Sequence, residues 1–478
     1  MFREILAKNA GDEAAHEGLI RTLIREDKVD DAAKDAEAWI AATPASSMAM
    51  VALGEARLRG GNPREAFALF QKAVQADPCN ALAHYGVARV DGLGGYFASS
   101  KREIEQAHRL HPTDDEISGY WTSTRPREQQ LKSMADYAEH SDQITDDQRA
   151  KLKKRLEVES HIQASDCRMT AASARTATVP IVPVMYDPVR FLGFGLDVKL
   201  NGARWRLQLD TGASGILISR DVAKSLGIKT EEASGVGGIG DEGGEKSFIG
   251  HVASVRIGDL EFANCAVEVI DRKTVLGTYG LIGGDIFARS LLTLDFPKRE
   301  LRVDPLPDRP GEKSGANGDE DQVAHDPYVA PQMAKWQWIY RDEHELLMPT
   351  GIVDTKRMKD ESAWREKLFI LDTGSDVNMI SPEAARDVTK VQTDGSLHYT
   401  MEGLSGRVKE GYEAGKFTLS FGGQRLDAMS MTSIDTTSIS DGSGVEVSGF
   451  LGAPALFQTV MHIDYRDNLV LFEYKPSK

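Results

Sequence analysis

The sequence predicts a multidomain α-plus-β chain: an N-terminal all-α helical-repeat solenoid followed by a bilobal, mainly β region. Three observations predict it. Pro44, Pro78 and Pro112 recur 34 residues apart in the first third. From about residue 180, short β-type runs alternate with glycine turns. Within that β region the tripeptide Asp-Thr-Gly, in an apolar setting, occurs at Asp210 and again at Asp372.

Composition excludes several classes before any motif is read. The chain has 478 residues, enough for about three domains. It is 41% hydrophobic and 27% charged, the balance of a globular protein with ample core. Against 57 basic residues stand 73 acidic ones, a net charge of −16 that argues against a nucleic-acid surface. No apolar run reaches the roughly 18 residues of a membrane span. Met1 to Gly11 lacks the apolar stretch of a secretory signal, so the sequence as given reads as cytoplasmic. It would read as periplasmic or secreted if an upstream signal peptide is missing. Cys79, Cys167 and Cys265 lie far apart, a sparse odd set that predicts neither a disulfide framework nor a cysteine metal site.

The repeat is visible at several registers. Leu19, Leu53 and Val87 keep the 34-residue spacing, as do Ala32, Ala66 and Ser100, and Ala36, Phe70 and Ile104. Ser47 to Asn80, with "LGEA…REAFALFQKAVQADP", is the clearest unit. This pattern resembles the tetratricopeptide (TPR) family, which implies a helix pair per repeat, small residues at helix crossings and a proline closing the second helix. Such pairs stack because none buries its apolar face alone. Phe2 lies 68 residues before Phe70, so "MFREILAKNAGD" reads as the second helix of an earlier repeat. Leu152, Leu156 and Ile162 suggest a terminal capping helix.

The helical pattern fades after Asp166, giving a repeat region over residues 1–170. Residues 171–187, with Pro180 and Pro183, read as a linker running into a strand. A first β lobe then spans 188–304, a polar inter-lobe connection 305–330 and a second lobe 331–478. Asn201-Gly202, Gly258-Asp259 and Gly422-Gly423 mark hairpins.

The duplicated signature carries the chemistry. "LQLDTGASGILIS" and "LFILDTGSDVNMIS" each follow an apolar strand and end in Ile-Ser. Chance supplies an Asp-Thr-Gly roughly 0.1 times in such a length. Leu281-Ile282-Gly283 follows the first copy and Phe450-Leu451-Gly452 the second, with Asp295 matching Asp464 further on. The C-terminal two-thirds is therefore an internal duplication.

From about Pro180 to Lys478 the chain resembles the aspartic protease clan, the pepsin- and retropepsin-like enzymes, in a fused two-lobe bacterial type. The resemblance implies a bilobal, mainly β aspartic-protease-like fold. Each lobe would donate one aspartate, so that Asp210 and Asp372 form a catalytic dyad activating a water. Thr211 and Thr373 would bond across to the opposite loop. Gly212 and Gly374 would let the backbone bend, with Ser375 supporting the second loop. Two adjacent carboxylates cannot both ionise, so they share a proton and one serves as base, the other as acid. No metal or cofactor is implied.

Two glycine-rich stretches read as flaps over a polypeptide substrate. One runs from Gly235 and Val236 through Gly237, Gly238, Ile239 and Gly240; the other holds Gly403, Leu404, Ser405 and Gly406. Glycine suits a hairpin that approaches substrate and moves. The first lobe lacks the flap tyrosine of pepsins, and a flap in each lobe is closer to the retroviral style. Gly235 to Gly240 also fits a dinucleotide fingerprint, but no helix opens after it. His344-Glu345 begins a zinc motif that Met348 breaks.

Two functions follow: an aspartic endopeptidase with its active site formed in cis, or a non-catalytic peptide-binding scaffold on the same fold. The helical repeats are either a spacer or a docking surface for a protein partner or substrate. Neither aspartate precedes residue 170, so the β region is expected to cut short peptides without the repeats.

Overall fold

A computed structural model of the chain describes residues 1–141, 144–161, 167–185, 191–233, 237–240, 244, 246–271, 279–310, 325–392 and 401–475. Ile162, Gly235, Val236 and residues 311–324 of the inter-lobe connection lie outside them.

Among the described residues the N-terminal region forms ten helices: α1 (Phe2–Lys8), α2 (Glu13–Arg25), α3 (Val29–Ala42), α4 (Ser47–Arg59), α5 (Pro63–Ala76), α6 (Ala81–Leu93), α7 (Phe97–Leu110), α8 (Asp115–Ser123), α9 (Arg127–His140) and α10 (Asp146–His161). Helices α2, α4, α6 and α8 start 34 residues apart because their caps do. The side chains of Asp12, Ser46, Asn80 and Asp114 each accept a hydrogen bond from the backbone N–H three residues on. Each cap satisfies an otherwise orphan donor, worth about 1 kcal/mol. Helices α3, α5 and α7 keep the same period, and Ala32, Ala66 and Ser100 are buried at their crossings.

The glycines at the crossings are dictated by one ring. A Cβ on Gly54 would come within 2.6 Å of Phe70, and one on Gly86 within 2.4 Å of the same ring. Phe2 meets Gly18 in the way Phe70 meets Gly86, two periods later. Helix α1 therefore packs as the second helix of a pair. Leu152 and Leu156 of α10 are half-buried.

Two β lobes follow, one on a nine-stranded and one on a ten-stranded sheet among the described residues. A six-stranded sheet joins them. At its centre the strands Ser290–Asp295 and Thr459–Asp464 pair antiparallel, Leu291 opposite Asp464 and Asp295 opposite Val460. The two copies of the duplicated strand thus lie against each other about a pseudo-two-fold axis.

The junction is more structured than a linker. Arg168–Met169, inside the expected helical region, pairs with Phe262 and Ala263 of the first lobe. Ala177–Pro180 pairs with Val303 to Glu300 at one edge of the bridging sheet, and Val182–Met185 pairs with the strand Phe191–Leu200. Pro180 and Pro183 sit on edge strands, where a missing N–H is tolerated. The same pairing corrects the cysteine reading: Cys167 and Cys265 form a disulfide, Cα atoms 4.1 Å apart across 98 residues of sequence. Strand register brings them together, which a count of sparse cysteines does not register. Cys79 is exposed and free.

The repeats are not an appendage. Val51, Leu58, Phe70, Val87 and Val90 share one buried cluster with Leu347, Leu368, Ile370, Val445, Val447 and Phe450 of the second lobe. The Arg59 guanidinium donates to the Ser440 carbonyl and pairs with Asp441, while the Arg59 carbonyl accepts from Glu446 N at 3.0 Å. Asn468 Nδ2 donates to the Leu93 carbonyl at 3.2 Å. A β region standing alone would expose this cluster, which argues against the independence expected from sequence. Among the described residues no helix is long and apolar enough to cross a membrane.

Candidate active site

Each aspartate ends an apolar strand that a parallel neighbour holds in place. Ala203–Asp210 is flanked by Gly280–Gly283, with Gly283 opposite Asp210. Arg365–Leu371 is flanked by Gly449–Leu451, with Leu371 opposite Leu451, and Asp372 N donates to the Leu451 carbonyl at 3.0 Å. The Leu-Ile-Gly and Phe-Leu-Gly segments are therefore walls beside the loops, and the turn at Gly212 and Gly374 brings both carboxyls to the midline.

The carboxyls of Asp210 and Asp372 adjoin and act on each other: a Cβ on Gly212 would stand 3.4 Å from an oxygen of each. Asp210 Oδ1 also accepts from Gly212 N at 2.8 Å. Asp372 Oδ1 accepts from Gly374 N at 2.8 Å and Ser375 N at 3.0 Å. A Cβ on Gly374 would overlap the Asp210 carboxyl, and one on Gly212 would stand 3.3 Å from Asp372 Cγ. Both positions need glycine for space, not for a positive φ.

The loops interlock beneath the pair. Thr211 N donates to Thr373 Oγ1, and Thr373 N to Thr211 Oγ1, each at 3.1 Å. The hydroxyls donate in turn to the carbonyls of Leu371 and Leu209 at 2.6 and 2.9 Å. Gln208 Nε2 adds a cross-lobe bond to the Gly374 carbonyl at 2.9 Å.

Burial pushes both aspartates above the ordinary carboxylate range. For Asp210 the Gly212 N–H, Asp372 and the Ala213 N–H oppose that shift. For Asp372 the negative charge of Asp210 and the bond to it add to burial, raising it well above. The two carboxyls are therefore coupled: between its two titration steps the pair holds one shared proton, and those steps belong to the pair and not to either residue alone.

The described flap residues meet over the site. Gly238 N donates to Ser405 Oγ and Ser405 N to the Ile239 carbonyl, both at 3.0 Å. Glu402–Gly403 and Gly406–Arg407 form the second hairpin, and Gly240 packs on its backbone. The flaps cross: Leu404 packs with Ala213, Leu217 and Leu281 of the first lobe, Ile239 on the cluster holding Met379 and Phe450 of the second.

Three further polar residues beside the Asp-Thr-Gly tripeptides were not singled out from the sequence. Gln208 is 5% exposed, a polar residue in an apolar strand. Asp285, directly after Gly283 and Gly284, accepts from Gly215 N at 2.8 Å and Ser214 Oγ at 3.1 Å. Asn378 Oδ1 accepts from Gly452 N at 2.9 Å on the other side. The signal in the sequence is a polar residue set among apolar ones beside the motif. Among the described residues no group of three or more metal-ligating side chains converges.

Comparison with known proteins fits this geometry. Residues 196–286, which contain Asp210 and Asp285, match the aspartyl protease family. The DNA damage-inducible protein 1 of Neurospora crassa is 35% identical over 110 residues, 23% of this chain and 24% of that one. The chain thus spans about a quarter of the length of the curated relative it matches. Among solved structures, a retropepsin-like aspartic protease from Rickettsia conorii covers 28% of this chain and 94% of its own at 21% identity, TM-score 0.21. An aspartic proteinase from Irpex lacteus covers 63% and 97% at 12% identity, TM-score 0.33. A TPR protein of Thermus thermophilus covers 34% and 88% at 21% identity, TM-score 0.28. The chain is thus a run of helices on a 34-residue period followed by two β lobes, the first of which contains the segment that matches the aspartyl protease family.

Proposed function

We propose that the chain is an aspartic endopeptidase whose hydrolytic water is activated between Asp210 and Asp372. The observation that carries this reading is the close approach of the two carboxyls, one on each of two interlocked loops. Asp210, the less raised of the two, is the base: it takes a proton as the water oxygen attacks the peptide carbonyl. Asp372 is the acid, giving its proton to the carbonyl oxygen, so a neutral tetrahedral diol forms. Collapse breaks the C–N bond, the amine leaving with the proton held by Asp210 and the diol returning one to Asp372.

The flap residues Gly238, Ile239, Leu404 and Ser405 would part to admit a polypeptide and close over it. Val51, Leu58, Val87 and Val90 of α4 and α6 pack on the second lobe. A partner or substrate extension would dock in the cavity of about 730 Å³ that α2, α4 and α6 line beside it, reaching Tyr85, Phe97 and Arg341.

The test is hydrolysis of fluorescently labelled, unfolded casein from pH 3 to 8 by the full chain and its Asp210→Asn and Asp372→Asn variants. Cleavage by the wild type and loss in both variants supports the dyad. Binding of casein without cleavage by the wild type would establish a peptide-binding scaffold instead.

A further inference from the structure

Tyr465 is a buried phenol that the dyad reading leaves unused. Its ring is fully buried, and among the described residues no protein group hydrogen-bonds to its hydroxyl. A polar atom withdrawn from water without a partner is costly, so its persistence calls for an explanation. Its position supplies one. The hydroxyl lies against Gly284 so closely that a Cβ there would overlap it, and the Thr211 methyl touches the same point. Tyr465 thus reaches from the second lobe to the floor of the first-lobe aspartate loop.

The pseudo-two-fold axis makes this contact one-sided. Asp295 and Asp464 are equivalent across the duplication, so the counterpart of Tyr465 is Phe296, a buried ring with no hydroxyl. Asp285 is one-sided as well: Pro454 stands at its place in the second lobe. The charged groups acting electrostatically on the phenol are Asp285, Arg341 and Asp210, and its contact with Thr211 places it one residue along the chain from Asp210. Arg341, its guanidinium over the Phe97 ring, has Tyr465, Asp285 and Asp464 as its electrostatic neighbours. Glu345 and Asp210 are the carboxyls acting on or with Asp372.

We propose that Tyr465 is a positioning residue for the first-lobe aspartate, its hydroxyl turned to the Asp285–Asp210 side so that the ionised form of Asp210 is favoured over that of Asp372. The inference rests on the dyad reading. A phenol has one proton to donate and lone pairs to accept with. Arg341 offers the positive side, so with the oxygen turned toward the guanidinium the proton would lie toward the acidic groups. An O–H dipole in a low-dielectric interior acts strongly on a nearby charge. Burial keeps the phenol itself neutral by raising it far above its ordinary value. The two lobes, alike in their loops, thereby become unequal in which carboxyl gives up its proton first.

The experiment is the pH profile of casein hydrolysis by wild type, Tyr465→Phe and Asp372→Asn, each as the full chain, with melting temperatures. Tyr465→Phe should fold, since it removes an unpartnered oxygen and no packing, and its melting temperature should not fall. Without the dipole Asp210 is harder to ionise, so the acidic limb moves to higher pH and kcat drops about tenfold. KM should stay within about twofold, because the hydroxyl does not reach substrate. An unmoved acidic limb overturns the proposal, whether kcat is unchanged or falls with the melting temperature. If Asp372→Asn keeps turning over casein, the dyad reading fails and this inference with it. A dead Asp372→Asn beside an unshifted Tyr465→Phe removes the inference alone.

Discussion

Thr211 and Thr373 exchange hydrogen bonds, each backbone N–H donating to the other's hydroxyl at 3.1 Å across 162 residues of sequence. Both threonines are buried, at 1% and 2% exposure, so water cannot substitute for either partner. The exchange fixes the two loops relative to each other before any substrate arrives, which is the preorganisation that acid–base chemistry needs.

Thr373→Val keeps the volume and removes the oxygen. It leaves the Thr211 N–H and the Leu209 carbonyl without their partner. Each buried unsatisfied group costs about 1–3 kcal/mol. The urea midpoint should fall by an amount equivalent to roughly 2–4 kcal/mol, and casein hydrolysis should be nearly lost. A midpoint within error of wild type would mean that the threonines do not hold the loops.

The dyad predicts a pH dependence with a definite sign. Burial raises both aspartates, so the folded state binds their protons more tightly than the unfolded state does. Their contribution to stability is fully present below the ordinary carboxylate value of 3.8 and is lost as pH rises through the raised values. Every tenfold gain in proton affinity on folding corresponds to about 1.4 kcal/mol. Glu345, pushed up to about 7 by burial, has the same sign. The difference between wild type and Asp372→Asn isolates Asp372. Urea midpoints from pH 4 to 8 should show wild type losing ground to Asp372→Asn as pH rises. Parallel curves would remove the shared proton from Asp372.

The helical repeats should prove inseparable from the second lobe. A chain starting at Cys167 uncovers Leu347, Leu368, Ile370, Val445 and Val447, and loses the Arg59 bonds. It should be aggregated or molten by gel filtration and near-ultraviolet circular dichroism. Arg59→Ala in the full chain is the milder probe. Asp441 is well exposed, so the loss is mainly the buried bond to the Ser440 carbonyl, about 1–3 kcal/mol. A monodisperse truncation with wild-type peptide hydrolysis would return the repeats to the role of a separable module.

What the sequence discloses and what it hides have physical causes. Periodic features survive in one dimension: the 34-residue spacing, and the four caps Asp12, Ser46, Asn80 and Asp114 that share it. Duplicated motifs survive too, which is why Asp210 and Asp372 stand out. Contacts set by strand register do not, so the Cys167–Cys265 bridge is invisible in the sequence. Val51, Leu58 and Val90 look like repeat core in sequence; that they also cover Leu368 and Val447 depends on how two domains dock. Gln208, Asp285 and Tyr465 follow no period and have no like residue at the matching place in the other lobe, and only the fold shows what they touch.

The last prediction concerns how many chains make one site. The two loops interlock within a single chain, through Thr211 and Thr373 and through Gln208 to Gly374. The bridging sheet pairs Ser290–Asp295 with Thr459–Asp464 along five residues, so the lobes are also joined below the site. The lobes have diverged where they would have to be alike to pair with copies of themselves: Asp285 has Pro454 at its equivalent position, Phe296 has Tyr465 and Ala213 has Ser375. A first lobe therefore fits a second lobe and not another first. A second lobe from a neighbouring chain could supply that fit only by breaking the bridging sheet in both chains. Asp210→Asn and Asp372→Asn, each inactive alone, should consequently stay inactive when mixed, even after joint unfolding and refolding at low concentration. Recovery of casein hydrolysis toward about a quarter of the wild-type rate would require sites shared between chains, since random exchange of lobes joins the two intact aspartates in that fraction of cases.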